Sequence, residues 1–207
     1  AKPTWETGLY TDANQIDFGD IDGDGDLDML MASGLPVYCL ALFENKDGFP
    51  ARKVSRTIGP RDYSESSIFA DFDSDGDLDI VATYPRKGTV VLYKNDGKGK
   101  FDKGTTVYHD RRVGQVQRVY CLDFDGDGVK EIFCAKGPWG PPGASVGLAQ
   151  QKGTMTMKVI WRSGAGTAYH GFDFRDVDGD GDLDMAAADW RGRSVSVYLQ
   201  EKGKLSP

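Results

Sequence analysis

Short apolar runs of three to five residues alternate along this chain with acidic and glycine-rich stretches. No segment carries the three- and four-residue spacing of an amphipathic helix. Apolar runs at 16–18, 68–70, 119–122 and 172–174 each lead into an acidic stretch. Met29-Leu30-Met31-Ala32, Ile80-Val81-Ala82, Ile132-Phe133-Cys134-Ala135 and Met185-Ala186-Ala187-Ala188 each leave one. Runs of this length predict strands buried on both faces, so each acidic stretch should join two strands of a hairpin. In the second such unit the pattern predicts strands over 66–70, 79–83, 89–94 and 101–107. The turn between the last two is Asn95-Asp96-Gly97-Lys98-Gly99, which is good hairpin chemistry. The stretch at 42–49, Gln151-Lys152-Gly153 and Glu201-Lys202-Gly203 close the corresponding hairpin in the other units. An all-β chain follows, and its length is enough for one domain, 1–207, with a real core.

The acidic stretches are four copies of one motif. The first runs Asp20-Ile21-Asp22-Gly23-Asp24-Gly25-Asp26-Leu27-Asp28, and the second places Asp71, Asp73, Asp75, Asp77 and Asp79 in the same register. The third has Asp123, Asp125, Asp127, Val129 and Glu131; the fourth has Asp176, Asp178, Asp180, Asp182 and Asp184. Carboxylates at positions 1, 3, 5 and 9 around a glycine at position 6 repel one another without a cation. Ca²⁺ takes six to eight hard oxygen ligands, and the glycine lets the loop fold back round it. Position 7 can offer its backbone carbonyl, so Val129 is acceptable there. About four calcium ions per chain are expected, with the third site weakest because it has the fewest carboxylates. An EF-hand would need a glutamate at position 12, where Met31, Ala82, Cys134 and Ala187 stand, so that loop type is excluded.

The motifs begin 51, 52 and 53 residues apart. A repeat near 50 residues with four strands predicts a propeller blade. Nineteen residues precede Asp20 and 31 follow Asp176, together one further period. Only Lys204-Leu205-Ser206-Pro207 follow Gly203, which looks too short for an outer strand. Thr4-Trp5-Glu6-Thr7-Gly8-Leu9-Tyr10 sits where such a strand should stand. The expectation is therefore four blades in a ring closed by this N-terminal strand; the alternative is two chains forming an eight-bladed assembly.

The loop between two apolar strands resembles the FG-GAP/VCBS repeats of integrin α-subunit propellers and of many secreted bacterial and fungal proteins. Phe18-Gly19 echoes the Phe-Gly element, and Ala-Thr-Tyr-Pro at 82–85 and Ala-Lys-Gly-Pro at 135–138 are nearest to the Gly-Ala-Pro triplet. The resemblance implies calcium loops on one face and ligands on the other, built by the loops that precede the first strand and follow the second. That rim would carry Tyr63, Arg86, Arg111, Trp139, His170, Trp190 and Arg191. Arginine forks bind carboxylate and sulfate, and aromatic rings stack on sugar faces.

The net charge is −7, and four divalent ions would bring it to +1, so the acidity belongs mostly to the motifs. Basic residues are scattered and no nucleic-acid motif is present. No run of 18 apolar residues exists, hence no membrane span is expected. Residue 1 is Ala and no leader is visible, which fits a processed secreted chain or a trimmed one. Calcium loops point to an extracellular setting, at a cell surface or in a periplasm included. Cys121 and Cys134 flank the third motif; they are either two small buried residues or a disulfide, and Cys39 is left over.

The functional reading is a calcium-stabilised binding module for glycan or protein, as monomer or homodimer. Its alternatives are a lyase- or dehydratase-type enzyme working in the channel, with His109, His170, Tyr169, Tyr63 and Glu65 as candidate groups, and a structural assembly subunit.

Overall fold

The apolar runs do pair as hairpins. In the computed structural model, which describes residues 4–7, 12–36, 38–46, 48–110, 116–137, 144–151, 155–164 and 166–206, four antiparallel four-stranded sheets follow one another along the chain. The first holds β1 (Ala13–Gly19), β2 (Asp28–Ser33), β3 (Leu40–Phe43) and β4 (Arg56–Ile58). The second holds β5 (Ser66–Ala70), β6 (Asp79–Tyr84), β7 (Thr89–Tyr93) and β8 (Thr105–His109). The third holds β9 (Val116–Leu122), β10 (Glu131–Lys136), β11 (Val146–Gln150) and β12 (Met157–Arg162). The fourth holds β13 (Tyr169–Arg175), β14 (Asp184–Asp189), β15 (Ser194–Glu201) and β16 (Lys204–Ser206). Each sheet is an up-and-down meander, and no helix occurs among the described residues.

Successive residues of a strand point to opposite faces, so each sheet can offer one apolar set to the sheet before it and another to the sheet after it. That is why β2, β6 and β10 are buried at every position. Leu30, Leu40 and Ile58 of the first sheet pack with Ile80, Ala82 and Tyr93 of the second. Val81, Val90 and Leu92 of the second pack with Val119, Ile132 and Leu148 of the third. Phe133 and Ala135 of the third pack with Phe172, Phe174 and Met185 of the fourth. The cores thus lie between sheets, in chain order, as in a propeller. No comparable contact joins the fourth sheet to the first among the described residues.

Two expectations need correction. The outer strand of the second sheet begins at Thr105 rather than at 101, and Phe101 makes only an isolated bridge to Asn95. The reason is local: the Asp102 carboxylate accepts from Lys94 N at 3.1 Å and Gly104 N at 2.8 Å, and Gly104 takes φ of 79°. This adds a turn before the strand.

The ring-closing strand is also different. Lys204–Ser206 itself pairs with β15, through a tight turn in which Lys202 and Gly203 have φ of 52° and 77°. Three residues suffice for an outer strand here, since β4 is equally short. Trp5 instead lies against the first sheet: its ring meets Phe43 edge-on at 6.3 Å, and its Nε1 donates to Pro50 O at 2.8 Å. It helps cover Met29, Met31 and Ala41; Gly8, Leu9 and Tyr10 lie outside the described residues.

Of the two alternatives for Cys121 and Cys134, the disulfide is absent: all three cysteines are free thiols. On the paired strands β9 and β10, Cys121 faces Ile132 and Cys134 faces Val119, so the two thiols are not cross-strand partners.

Candidate functional site

Each sheet's first turn is folded the same way. Its fourth and sixth residues take positive φ: Gly23 and Gly25 at 74° and 89°, Ser74 and Gly76 at 61° and 95°, with glycine pairs in the other two. Glycine is favoured in this conformation because it has no Cβ. The amides of those residues then point at the position-1 carboxylate. Gly23 N and Gly25 N donate to the two oxygens of Asp20 at 2.8 and 2.9 Å. Gly179 N and Gly181 N do the same to Asp176 at 2.6 and 3.1 Å, and Gly128 N donates to Asp123 at 3.0 Å.

The fold brings carboxylates together in every loop. Asp20, Asp22 and Asp28 can each offer an oxygen within 4.8 Å of the others. So can Asp71, Asp73 and Asp75; Asp123, Asp125 and Asp127; and Asp176, Asp178 and Asp184. Within the turns, Asp24 and Asp180 accept from Asp26 N and Asp182 N at 2.8 and 2.9 Å, and Asp127 accepts from Val129 N at 2.8 Å. Asp77 presses on the second sheet's hairpin at Gly97. One oxygen each of Asp71, Asp73 and Asp123 is buried and accepts no hydrogen bond. Leaving a buried carboxylate oxygen without a donor is costly, and a hard divalent cation is the ligand that such oxygens fit.

Position 9 does more than the motif indicates. Asp28, Asp79, Glu131 and Asp184 are buried within their sheets. Asp28 accepts from Ile21 N at 3.3 Å and from Asn45 N at 2.7 Å; Asp79 accepts from Phe72 N at 3.3 Å and Asn95 N at 2.9 Å. Asp184 accepts from Val177 N at 2.9 Å and Gln200 N at 2.8 Å, and Glu131 from Phe124 N at 2.9 Å. In the first, second and fourth loops the side chain therefore ties the acidic turn to a residue at the end of the third strand or just past it. Burial pushes Asp79 up to about 6 and Glu131 up to about 7, and neighbouring acids add to the shift. A cation in the loop would oppose that rise.

Sequence reasoning missed Lys94. Its ammonium is paired with Asp73, which raises the lysine above its ordinary value. The second loop thus carries five carboxylates and one lysine, net −4, against −3 for the third, whose four carboxylates share the turn with Lys130. Only the strand register could have revealed this, because Lys94 is 21 residues from Asp73. The amides Asn45, Asn95 and Gln200 were legible in principle: each stands 16 or 17 residues after position 9.

At the opposite end of the sheets, two of the expected rim residues converge. The Arg86 guanidinium lies 4.9 Å from the Tyr38 ring centre and 5.4 Å from that of Tyr63. The Tyr63 hydroxyl is bonded to Glu65; burial first and that carboxylate second push the phenol well up. Lys87 pairs with Asp62 at 3.0 Å. Tyr38 was not foreseen, because it stands in the first repeat and meets Arg86 only through the packing of two sheets. His109 lines a neighbouring cavity of about 460 Å³ with Pro85, Arg86, Lys87, Gly88 and Thr89.

The other expected rim residues do not join this cluster. His170 and Trp190 stand together on the fourth sheet, ring centres 6.3 Å apart, and Arg191 N donates to Asp189 at 3.0 Å. Arg111 and Trp139 lie outside the described residues. A groove of about 620 Å³ along the first strands is lined by Asp17, Arg118, Tyr120, Asp173 and Arg175 among others, and neither histidine lines it. Tyr169 is bonded to the Tyr198 hydroxyl at 2.6 Å. The candidate acid–base groups are therefore dispersed over two sheets rather than gathered.

With this geometry established, known proteins can be compared. A family model described as FG-GAP-like repeat matches residues 71–134 and 123–187. No curated protein sequence matches significantly. Among solved structures, a lectin of Agrocybe aegerita, described as specifically recognising non-reducing terminal N-acetylglucosamine, is similar at TM-score 0.59 and 17% identity; the match covers 92% of this chain and 50% of the lectin. The Vibrio cholerae biofilm matrix protein Bap1 is similar at 0.53 and 19%, over 97% of this chain and 32% of that one. BBS1N, solved in complex with ARL6DN, is similar at 0.57 and 11%, over 96% and 56%. The chain thus spans between about a third and just over half of these structures. At such identities the likeness speaks to fold alone.

Proposed function

The chain belongs to the FG-GAP-like repeat family, and from that premise we propose that it is a calcium-stabilised, extracellular propeller-type binding domain that takes a glycan or protein ligand on the rim opposite its acidic loops. No helix among the described residues is long and apolar enough to cross a membrane. For calcium, the carrying observation is the set of buried carboxylate oxygens in the second and third loops that accept no hydrogen bond. The position 1, 3, 5 and 9 side chains of each loop, with the position-7 carbonyl, would hold the ion. Bound there, calcium would offset two of the loop's negative charges and fix the turn between the first two strands.

For the ligand, support comes from Arg86 held over Tyr38 and Tyr63. The arginine offers donors to hydroxyl or carboxylate oxygens, and the tyrosine rings offer apolar faces of the kind on which a sugar stacks. Loops on a rigid scaffold are where recognition is expected.

The test is a glycan array probed in calcium and again in chelator, with Arg86→Ala alongside. Retention that needs both calcium and Arg86 is expected. Binding that survives Arg86→Ala moves the ligand elsewhere, to Trp190 or the first-strand groove; silence on every glycan removes the sugar reading and leaves a protein ligand.

A further inference from the structure

The acidic turns are joined to one another. In two places a single buried amide side chain bridges consecutive turns. Asn95 follows β7 in the second sheet, and Gln200 stands on β15 of the fourth. Asn95 N donates to Asp79, position 9 of its own turn, at 2.9 Å. Its Nδ2 donates to Leu78 O of that turn at 3.1 Å and to Ile21 O of the preceding turn at 2.8 Å. Two carbonyl acceptors fix which end of the amide is the nitrogen. Gln200 repeats the arrangement: its N donates to Asp184 at 2.8 Å, and its Nε2 donates to Phe124 O of the preceding turn at 3.1 Å. Gln200 Oε1 accepts from Gly203 N at 2.8 Å, so this amide is oriented as well.

Ile21 and Phe124 hold position 2 of their turns, between the carboxylates of positions 1 and 3. Asp20 and Asp22 flank Ile21, and Asp123 and Asp125 flank Phe124; each pair belongs to a cluster whose oxygens lie within 4.8 Å of one another. The position-2 N–H donates to position 9 of the same turn, from Ile21 to Asp28 at 3.3 Å and from Phe124 to Glu131 at 2.9 Å. Its carbonyl is held by the next sheet. That carbonyl shares one rigid plane with the N–H of position 3, so anchoring it sets the direction in which Asp22 or Asp125 leaves.

The hairpin turns that carry the two amides also lie against the preceding acidic turns. A Cβ on Gly99 would stand 3.3 Å from Ile21, and one on Gly203 would stand 3.2 Å from Asp125.

We propose that Asn95 and Gln200 are positioning residues for the calcium turn of the sheet before their own, and that through them the first turn is coupled to the second and the third to the fourth. The inference rests on the calcium reading above. In an occupied second turn Asp79 is fixed, and it fixes the Asn95 backbone. The Asn95 side chain then holds the peptide between Ile21 and Asp22, so the first turn is shaped before its own ion arrives. Without ions the acids of each turn repel one another, and the bridge must be ordered at the expense of binding. Losing it would leave a buried carbonyl without a donor, which is costly. Coupling of this kind acts equally in both directions.

The experiment is calorimetric calcium titration of the 207-residue chain and of variants with one turn silenced. Asp73→Asn with Asp75→Asn silences the second turn, and Asp22→Asn with Asp24→Asn the first; both leave position 9 in place. The component that each silencing removes assigns the sites. Silencing the second turn should also weaken calcium at the first by about fivefold or more, the lower end of coupling between sites. Silencing the first should weaken the second by the same factor. Asn95→Ala keeps the backbone donor to Asp79 and removes only the side-chain bonds. It should weaken the first site and erase this mutual effect, with the third and fourth sites as in the parent. Gln200→Ala should weaken the third site and spare the first two. Asn95→Gln should retain the coupling, because Gln200 does the same work in the fourth sheet. The silencing measurement needs no change at Asn95, so it stands whether or not Asn95→Ala folds. Sites that bind calcium but ignore a silenced neighbour overturn the inference and leave the calcium reading in place. Equal weakening of all four sites by Asn95→Ala overturns it too, and a parent that takes up no calcium removes both.

Discussion

The two ends of the sheets differ in how they are made. At the acidic end one nine-residue turn is repeated four times, with glycine or serine in the same unusual backbone conformation and a buried carboxylate that in three of the four turns is tied to the same two amides. At the opposite end each connection is different: Tyr38, Tyr63 and Arg86 form a cluster that has no counterpart at His170 and Trp190. Repetition at one end and divergence at the other is what the proposed binding domain would require: acidic turns that hold the sheets in shape, and a rim that varies because little stability rests on it.

If that division is right, disturbing the acidic end should be far more damaging than disturbing the rim. The largest effect should come from chelation. A ligand that binds only the folded chain stabilises it by about 2.7 kcal/mol per site at a hundredfold excess over Kd. Removing calcium from four loops should therefore lower the melting temperature steeply. An unchanged melt in excess chelator would erase the difference between the two ends.

Next is a contrast within one loop. Asp79→Ala removes the acceptor for Phe72 N and Asn95 N. It should cost about 3 kcal/mol or more even in chelator, since hydrogen bonds to a charged group are worth about 1.5–3 kcal/mol each. Asp75→Ala, exposed in the same turn, should matter only when calcium is present. Denaturant melts with and without calcium separate the two roles; equal costs in chelator would mean that position 9 is only a ligand.

A smaller effect is expected at Lys94. Its ammonium sits on Asp73 and would have to give way to an ion bound there. Lys94→Met should tighten calcium at the second loop several-fold and leave the third unchanged. A weakened second site would mean that the lysine orders the loop rather than competing for it. Smallest should be the cost of Arg86→Ala, whose melt should match the parent's, as for most exposed positions. Measurable unfolding in that variant would make the rim cluster part of the scaffold.

The same contrast explains what could be read in the chain. The second strands were legible because burial on both faces leaves continuous apolar runs, as in Ile80-Val81-Ala82. The first strands are not buried on both faces as expected: Ala13–Gly19 leaves Ile16 and Phe18 about half exposed. Two of the outer strands were not legible: Arg56–Ile58 and Lys204–Ser206 are three residues long and only partly buried. That is why the N-terminal segment was assigned to the fourth sheet when Ser206 and its neighbours already filled the place. In the acidic turns every expected ligand type was visible, but the second role of Asp28, Asp79 and Asp184 was not. Their amide partners lie across the sheet, and nothing in a nine-residue motif reports on the end of another strand. On the rim, Arg86 and Tyr63 could be named from their loops, whereas Tyr38 joined them only through the packing of the first two sheets.

The central claim is that four cations complete this fold. Calorimetric titration of the calcium-depleted chain tests it most directly, and at millimolar calcium it should find four ions per chain, with the second and third loops the weakest. Fewer than three sites under those conditions would contradict the account, and the repeated acidic turns would then be held by their backbone amides alone.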